Sequence, residues 1–314
     1  MKLRCFALSL TCLLVSAASA ADPQLLKLLM PDARVVSGID VNRIKGTPFG
    51  QFFLAQLPAG DASFNQFVDL TGFDPRRDIH EVLMASPGDP AKKAGLLVAR
   101  GNFDSARVLA LVKAQGQAVE NYQGVSIIAG GHGPGQALAF LDNSVAVAGD
   151  AASVRGAIDR RVGAGGIDPA LAAKINRSSG DHDAWVISLA PVSAFAQAIP
   201  DRNVKGALQG DLLKSIEESS GGVRFGNVIE ITGLITAKTA QDASSLGDVM
   251  RFFVNMAQLN APAGQPAQFV ALLKNLTVNT EANAVKVSVS IPEIELETLI
   301  RQNSARRGTR TPRI

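Results

Sequence analysis

Gly233-Leu234-Ile235-Thr236-Ala237-Lys238 reads as a short apolar strand running into a helix start, and the same pattern stands 138 residues earlier at Gly95-Leu96-Leu97-Val98-Ala99-Arg100. Asn143-Ser144-Val145-Ala146-Val147 lines up with Asn283-Ala284-Val285-Lys286-Val287 at an offset of 140, and Ala33-Arg34-Val35-Val36-Ser37 with Ala184-Trp185-Val186-Ile187-Ser188 at 151. Three matches in one order, at offsets that ordinary loop changes absorb, point to an internal duplication.

Outward from these anchors, each half alternates strands with helices. In the first, a strand at 34–40 leads to Thr47-Pro48, a helix cap with proline in the first turn. Phe49, Phe52, Phe53 and Leu57 recur at helical spacing, and Phe64, Phe67 and Val68 suggest a second short helix. Strands are expected at 79–85, 94–100, 124–129, 136–141 and 144–149, with helices capped by Asp104 and Asp150 and ended at Gly116 and Gly163. The second half gives a strand at 184–190, helical segments at 192–199 and 208–218, and strands at 222–226 and 228–237. A helix at 241–258, a Pro- and Ala-rich loop at 261–266, a short helix, strands at 276–280 and 284–291 and a closing helix follow. In the last strand Val285, Val287, Val289 and Ile291 point one way and Lys286, Ser288 and Ser290 the other, which implies one wet or lightly covered sheet face.

Strand, helix, strand, strand, helix, strand is the order of the split βαβ plan. The expected fold is therefore α+β: two related ferredoxin-like units with antiparallel sheets and helices on one face. The first unit takes residues 21–178 and the second 179–300, joined near Asn176 to Asp183, with a basic disordered tail at 301–314.

Residues 1–20 carry a different signal. Lys2 and Arg4 precede an apolar run from Phe6 to Val15, and Ala18-Ser19-Ala20 supplies the small residues that a signal peptidase needs. The run is shorter than the ~20 residues that span a bilayer. The expectation is an exported chain, periplasmic or extracellular, that begins at Ala21 and has no transmembrane span. Both cysteines, Cys5 and Cys12, lie inside this leader, so the mature chain has no thiol for disulfides, nucleophilic catalysis or metal binding. An alanine-rich, cysteine-free exported chain suits a bacterial source.

Charge narrows the partners. The chain holds 31 Lys and Arg against 28 Asp and Glu; loss of Lys2 and Arg4 takes the net charge from +3 to +1. Five arginines and no acid fall within 301–314, so the remaining body stands at −4. A slightly acidic body lacks the basic face of a nucleic-acid binder.

The search for chemistry returns little. His80-Glu81-Val82-Leu83-Met84 opens like a zinc-protease motif but has no second histidine, and it sits on an expected strand. Asp181-His182-Asp183 places neighbours on opposite faces of a strand start, so no metal site is read there. Gly130 to Gly135 lies between strands without the helix a phosphate cradle requires, and reads as a hairpin connection. No nucleophile elbow occurs. The densest polar stretch holds Asp74, Arg76, Arg77, Asp78 and His80. Its arginines suit two-point contact with an anionic ligand, and Asp78 and His80 would share a strand face, the geometry of a carboxylate-oriented imidazole. The plainer account is a helix-to-strand loop with Asp-Pro turn chemistry and local ion pairs. No catalytic set, metal site or cofactor is expected. The reading that follows is a non-catalytic exported protein that binds a protein or small-molecule partner in the cell envelope. The alternatives are an exported hydrolase built from scattered Asp, Glu, His and Ser, and a small-molecule carrier. Oligomeric state is left open.

Overall fold

In the computed structural model, the described residues are 21–56, 62–89, 91–92, 94–130, 135–163, 165–191, 211–259 and 275–308. The first half comprises α1 (Pro23–Leu28), β1 (Val35–Asp40), α2 (Val41–Lys45), α3 (Pro48–Gln56), α4 (Ala62–Thr71), α5 (Pro75–Asp78), β2 (Ile79–Ser86) and β3 (Leu96–Gly101). It continues through α6 (Ser105–Ala114), β4 (Val119–Tyr122), β5 (Val125–Ala129), β6 (Gln136–Phe140), β7 (Val145–Asp150), α7 (Ala151–Val162) and α8 (Pro169–Asp181). The second half comprises β8 (Ala184–Ser188), α9 (Asp211–Lys214), β9 (Ile216–Arg224), β10 (Val228–Ala237), α10 (Ala240–Leu259), β11 (Thr277–Glu281), β12 (Ala284–Pro292) and α11 (Glu293–Gly308).

The fold is α+β, and its strands form one 12-stranded sheet in the order β11-β12-β10-β9-β8-β1-β2-β3-β7-β6-β5-β4. The halves meet where β1 pairs antiparallel with β8, Val35 opposite Ser188 and Ile39 opposite Ala184. Gly38 makes this seam possible: Trp185 lies across it, and a Cβ there would sit 2.5 Å from Trp185 Cζ2 and 2.9 Å from Leu83 Cδ2.

Side-chain alternation assigns the helices to faces. Val36, Leu83, Val98, Val147 and Ile187 point to one face, here the front, where they pack with Leu25 of α1, Val154 and Ile158 of α7, and Leu171 and Ile175 of α8. These core side chains are at most 2% exposed. The register carries Ser37 to Val186, Gly221, Gly233 and Val287 on the opposite, back face. There α10 covers one end of the sheet, placing Ala243 and Leu246 against Ala237 and Val285. At the other end Ala99 and Ala146 pack with Phe73, Phe103 and Phe140, while α4 and α6 border Ile128 and Leu138.

Several expectations are corrected. One continuous sheet replaces two separate ones, because β1 and β8 would otherwise be open edges whose N–H and C=O groups need partners. Helices lie on both faces, not one. The split βαβ plan sets its first and third strands side by side and parallel; here β2 lies between β1 and β3 and every pair is antiparallel. The helix expected over 208–218 is strand from Ile216 on, since that segment pairs with both β8 and β10. The join expected near Asn176 to Asp183 is helical as far as Asp181, as the end of α8, which is capped by Asp168 with Pro169 in the first turn. The tail is helical as far as Gly308 within α11. The leader at 1–20, the helix at 192–199, the loop at 261–266 with the start of the helix after it, His132 with its glycine neighbours at 131–134, and residues 309–314 lie outside the described residues.

Candidate functional site

The polar stretch at 74–80 folds into a clamp. Asp74 caps α5 by accepting from Arg76 N–H at 2.9 Å, and the Arg76 guanidinium returns to the same carboxylate at 2.7 Å while lying 4.7 Å over the Phe64 ring. Arg77 donates to both oxygens of Asp78, at 2.7 and 2.8 Å, and Asp74 N–H donates to Asp78 Oδ2 at 2.8 Å. The arginine hydrogen bonds hold both carboxyls below the usual carboxylate range: Arg76 for Asp74 and Arg77 for Asp78. Both guanidinium forks are thus closed on carboxylates of the same turn. Asp78 is 5% exposed and bonds to Arg77 and Asp74, while His80 Nε2 lies 3.4 Å from Asn102 Nδ2. The five residues come together in sequence but spend their polar atoms on joining α5 to β2.

A second polar cluster forms where α8 ends over β9 and β10. His182 Nε2 is 2.6 Å from Thr232 Oγ1 and its Nδ1 3.1 Å from Ser178 O. The ring rests on Gly222, where a Cβ would lie 2.4 Å from His182 Cγ. Ser220, Leu234, Lys286, Arg177 and Arg224 extend this into a groove of about 450 Å³ on the front face. Lys286 belongs to the alternation that implied a wet face, and this end of the front face is open. Asp183 turns away from the groove: it is 4% exposed, meets Arg43 at 2.8 Å and accepts from Phe225 N–H at 2.7 Å. Among the described residues no group of three His, Cys, Asp or Glu is placed to hold a metal ion.

The third site was missed in the sequence. On the back face, between the α10 layer and the α4/α6 layer, no described helix lies on the central strands. Val35, Ser37, Met84, Ser86, Leu97 and Ala148 line a shallow groove there, also about 450 Å³, with Gln136 and Asp150 at its rim. Met84 is 45% exposed, and on the same face Val186 is 44% and Ile39 37% exposed. The signal was present in Ala184-Trp185-Val186-Ile187, apolar on both parities. Such a strand expects cover on both faces, and the described helices cover only its front.

No protein-family model matches the chain and no curated protein does. The solved structures similar to it include two crystal forms of TP0453. Form IV superposes with a TM-score of 0.50 at 14% identity, covering 90% of this chain and 97% of that one. Form I gives 0.47 at 13% identity, covering 90% and 98%. At this identity the likeness to form IV concerns the fold alone and agrees with the α+β architecture. No described helix is long and apolar enough to cross a membrane.

Proposed function

We propose that this is a non-catalytic, exported bacterial binding protein whose bare central sheet face receives the apolar side chains of a partner in the cell envelope. One observation carries the reading: Ile39, Met84 and Val186 are apolar side chains on one face in mid-sheet, at least 37% exposed each. Contiguous apolar surface of this kind mostly marks an interaction site. The groove is shallow, which suits a protein surface. Its volume also falls within the ~300–1,000 Å³ typical of small-molecule pockets, so a carrier is the second reading.

A doubled architecture supports the same view. The first half follows the order β1-β2-β3-β7-β6 and the second β8-β9-β10-β12-β11, so removing the β4–β5 hairpin makes the two orders equivalent. The three sequence matches fall on the corresponding strands: β1 with β8, β3 with β10, and β7 with β12. Two such units joined edge to edge leave a bare strip along their seam. The hydrolase reading has less behind it, because both described histidines bond to an amide, a hydroxyl or a carbonyl and not to a carboxylate.

The test is crosslinking in the envelope of the source cell, with mature protein carrying a photoreactive group at Met84. Specific products lost in a Val186→Lys variant of unchanged melting temperature support the partner reading. No product, with a small molecule retained in native mass spectrometry, favours the carrier. Absence of both refutes a binding role for this face.

A further inference from the structure

The segment before α1 is buried in a way its position does not require. Ala21 is 2% exposed, and its N–H donates to Ser179 Oγ of α8 at 2.9 Å. The next amide, Asp22 N–H, points at Glu81 Oε1 of β2 at 3.4 Å. Successive backbone nitrogens are at most ~3.6 Å apart, so the Glu81 carboxyl lies within ~7 Å of Ala21 N.

We infer that Ala21 N is the seat of a new chain terminus: the ammonium exposed by cleavage after Ala20 bonds to Ser179 Oγ and is the missing counter-ion of Glu81. The reaction is hydrolysis of the Ala20–Ala21 peptide bond by a signal peptidase. One water is consumed, leaving a carboxylate on Ala20 and an ammonium on Ala21.

The local charges ask for such a cation. Asp22, Asp40 and Asp183 join Glu81 on the acidic side, from the start of α1, the end of β1 and the start of β8. Arg100 of β3 pairs with Asp22, and Arg43 of α2 pairs with Asp183 and donates to Ser179 O. Four carboxyls thus face two guanidiniums, and Asp40 is occupied as the cap of α2. Glu81 has no ion pair of its own; Arg100, already paired with Asp22, attracts its carboxylate without offsetting its burial. Burial first, then Asp22 and Asp40, push its pKa up to about 7 when no ammonium is present. The unfolded chain releases that proton near 4.5. The folded state then holds the extra proton between those values, so stability falls as pH rises from about 4.5 through 7. An ammonium beside Glu81 favours the carboxylate and removes the fall. Processing would therefore complete the packing of α1 against α7, α8 and the sheet.

The experiment compares the chain beginning at Ala21 with the chain beginning at Ser19, whose amine is displaced by up to ~7 Å. Each is made with Glu81 and with Glu81→Gln, a neutral replacement of the same shape. The expected result is that the Ala21 form melts at least about 3 °C higher at pH 7.5, with the gap closing by pH 5 and absent in Glu81→Gln at every pH. Equal melting at pH 7.5, or a gap that survives Glu81→Gln, overturns the inference. N-terminal sequencing of the exported protein separates the export reading it rests on. A cut elsewhere sinks that reading, whereas a cut after Ala20 with no gap sinks the docking alone.

Discussion

The seam between the two halves gives a perturbation whose size can be worked from geometry. Gly38→Ala adds one methyl in extended backbone, where reduced freedom of the unfolded chain alone would stabilise by about 0.5–1 kcal/mol. The methyl would instead meet Trp185 at 2.5 and 2.6 Å and Leu83 at 2.9 Å, well inside contact distance. Overpacking of a filled core costs about 1–3 kcal/mol, and Trp185 is only 6% exposed with little room to yield. The net expectation is a loss of about 1–2 kcal/mol, or roughly 2–8 °C in Tm for a chain of this size. Trp185 is the only tryptophan, so its emission reports the same site directly. The Trp185→Leu background removes the colliding ring, and there Gly38→Ala should be close to neutral, giving a coupling of about 1–2 kcal/mol. If Gly38→Ala matches or exceeds the wild type, or costs as much without Trp185 as with it, the packing described at the β1–β8 seam is wrong.

Three further outcomes follow from other parts of the fold. Asp183→Ala leaves Phe225 N–H without its acceptor and Arg43 without its ion pair, though Arg43 keeps Ser179 O, and chemical denaturation should show a loss of about 2–3 kcal/mol, discounted because Arg43 is 30% exposed. Asp78 has its carboxyl held low by Arg77, so its contribution is present at neutral pH and fades as pH falls through the usual carboxylate range. Asp78→Asn should flatten that part of a Tm-against-pH curve. Thr232→Val removes the hydroxyl beside His182 Nε2 and should cost about 1 kcal/mol in chemical denaturation while leaving partner crosslinking at Met84 intact.

Much of the fold was legible where local chemistry acts alone. Asp104 and Asp150 do cap α6 and α7, accepting from Arg107 and Ser153 N–H at 3.0 Å each. The three pairs of similar stretches fall on strands, because side-chain alternation that buries one face is visible in the sequence of each strand. Long-range pairing was not legible. Ile216 to Arg224 carries Glu217, Glu218 and two glycines, weak strand material by composition, and becomes strand only between two partners. The edge strand Val119–Tyr122 escaped notice for a similar reason. It is polar and short, and exists through a two-residue turn at Gln123 and Gly124, both at positive φ, that folds it onto β5. The polar stretch at 74–80 stood out because charge is visible in sequence, yet its charges are spent on each other. The exposed back face was invisible because it is defined by where the described helices, from distant segments, do not reach.

The openness of that face can be read by thiol chemistry, since the chain from Ala21 onward contains no cysteine. Single-cysteine variants at Met84 and Val186, both more than 40% exposed, and at their neighbours Leu83 and Ile187, at most 1% exposed, are treated with a maleimide under native conditions. The account requires rapid labelling of Met84→Cys and Val186→Cys, with Leu83→Cys and Ile187→Cys silent until the protein is denatured. Silence at Met84 and Val186 in the free monomer, or equal labelling at all four positions, would contradict it.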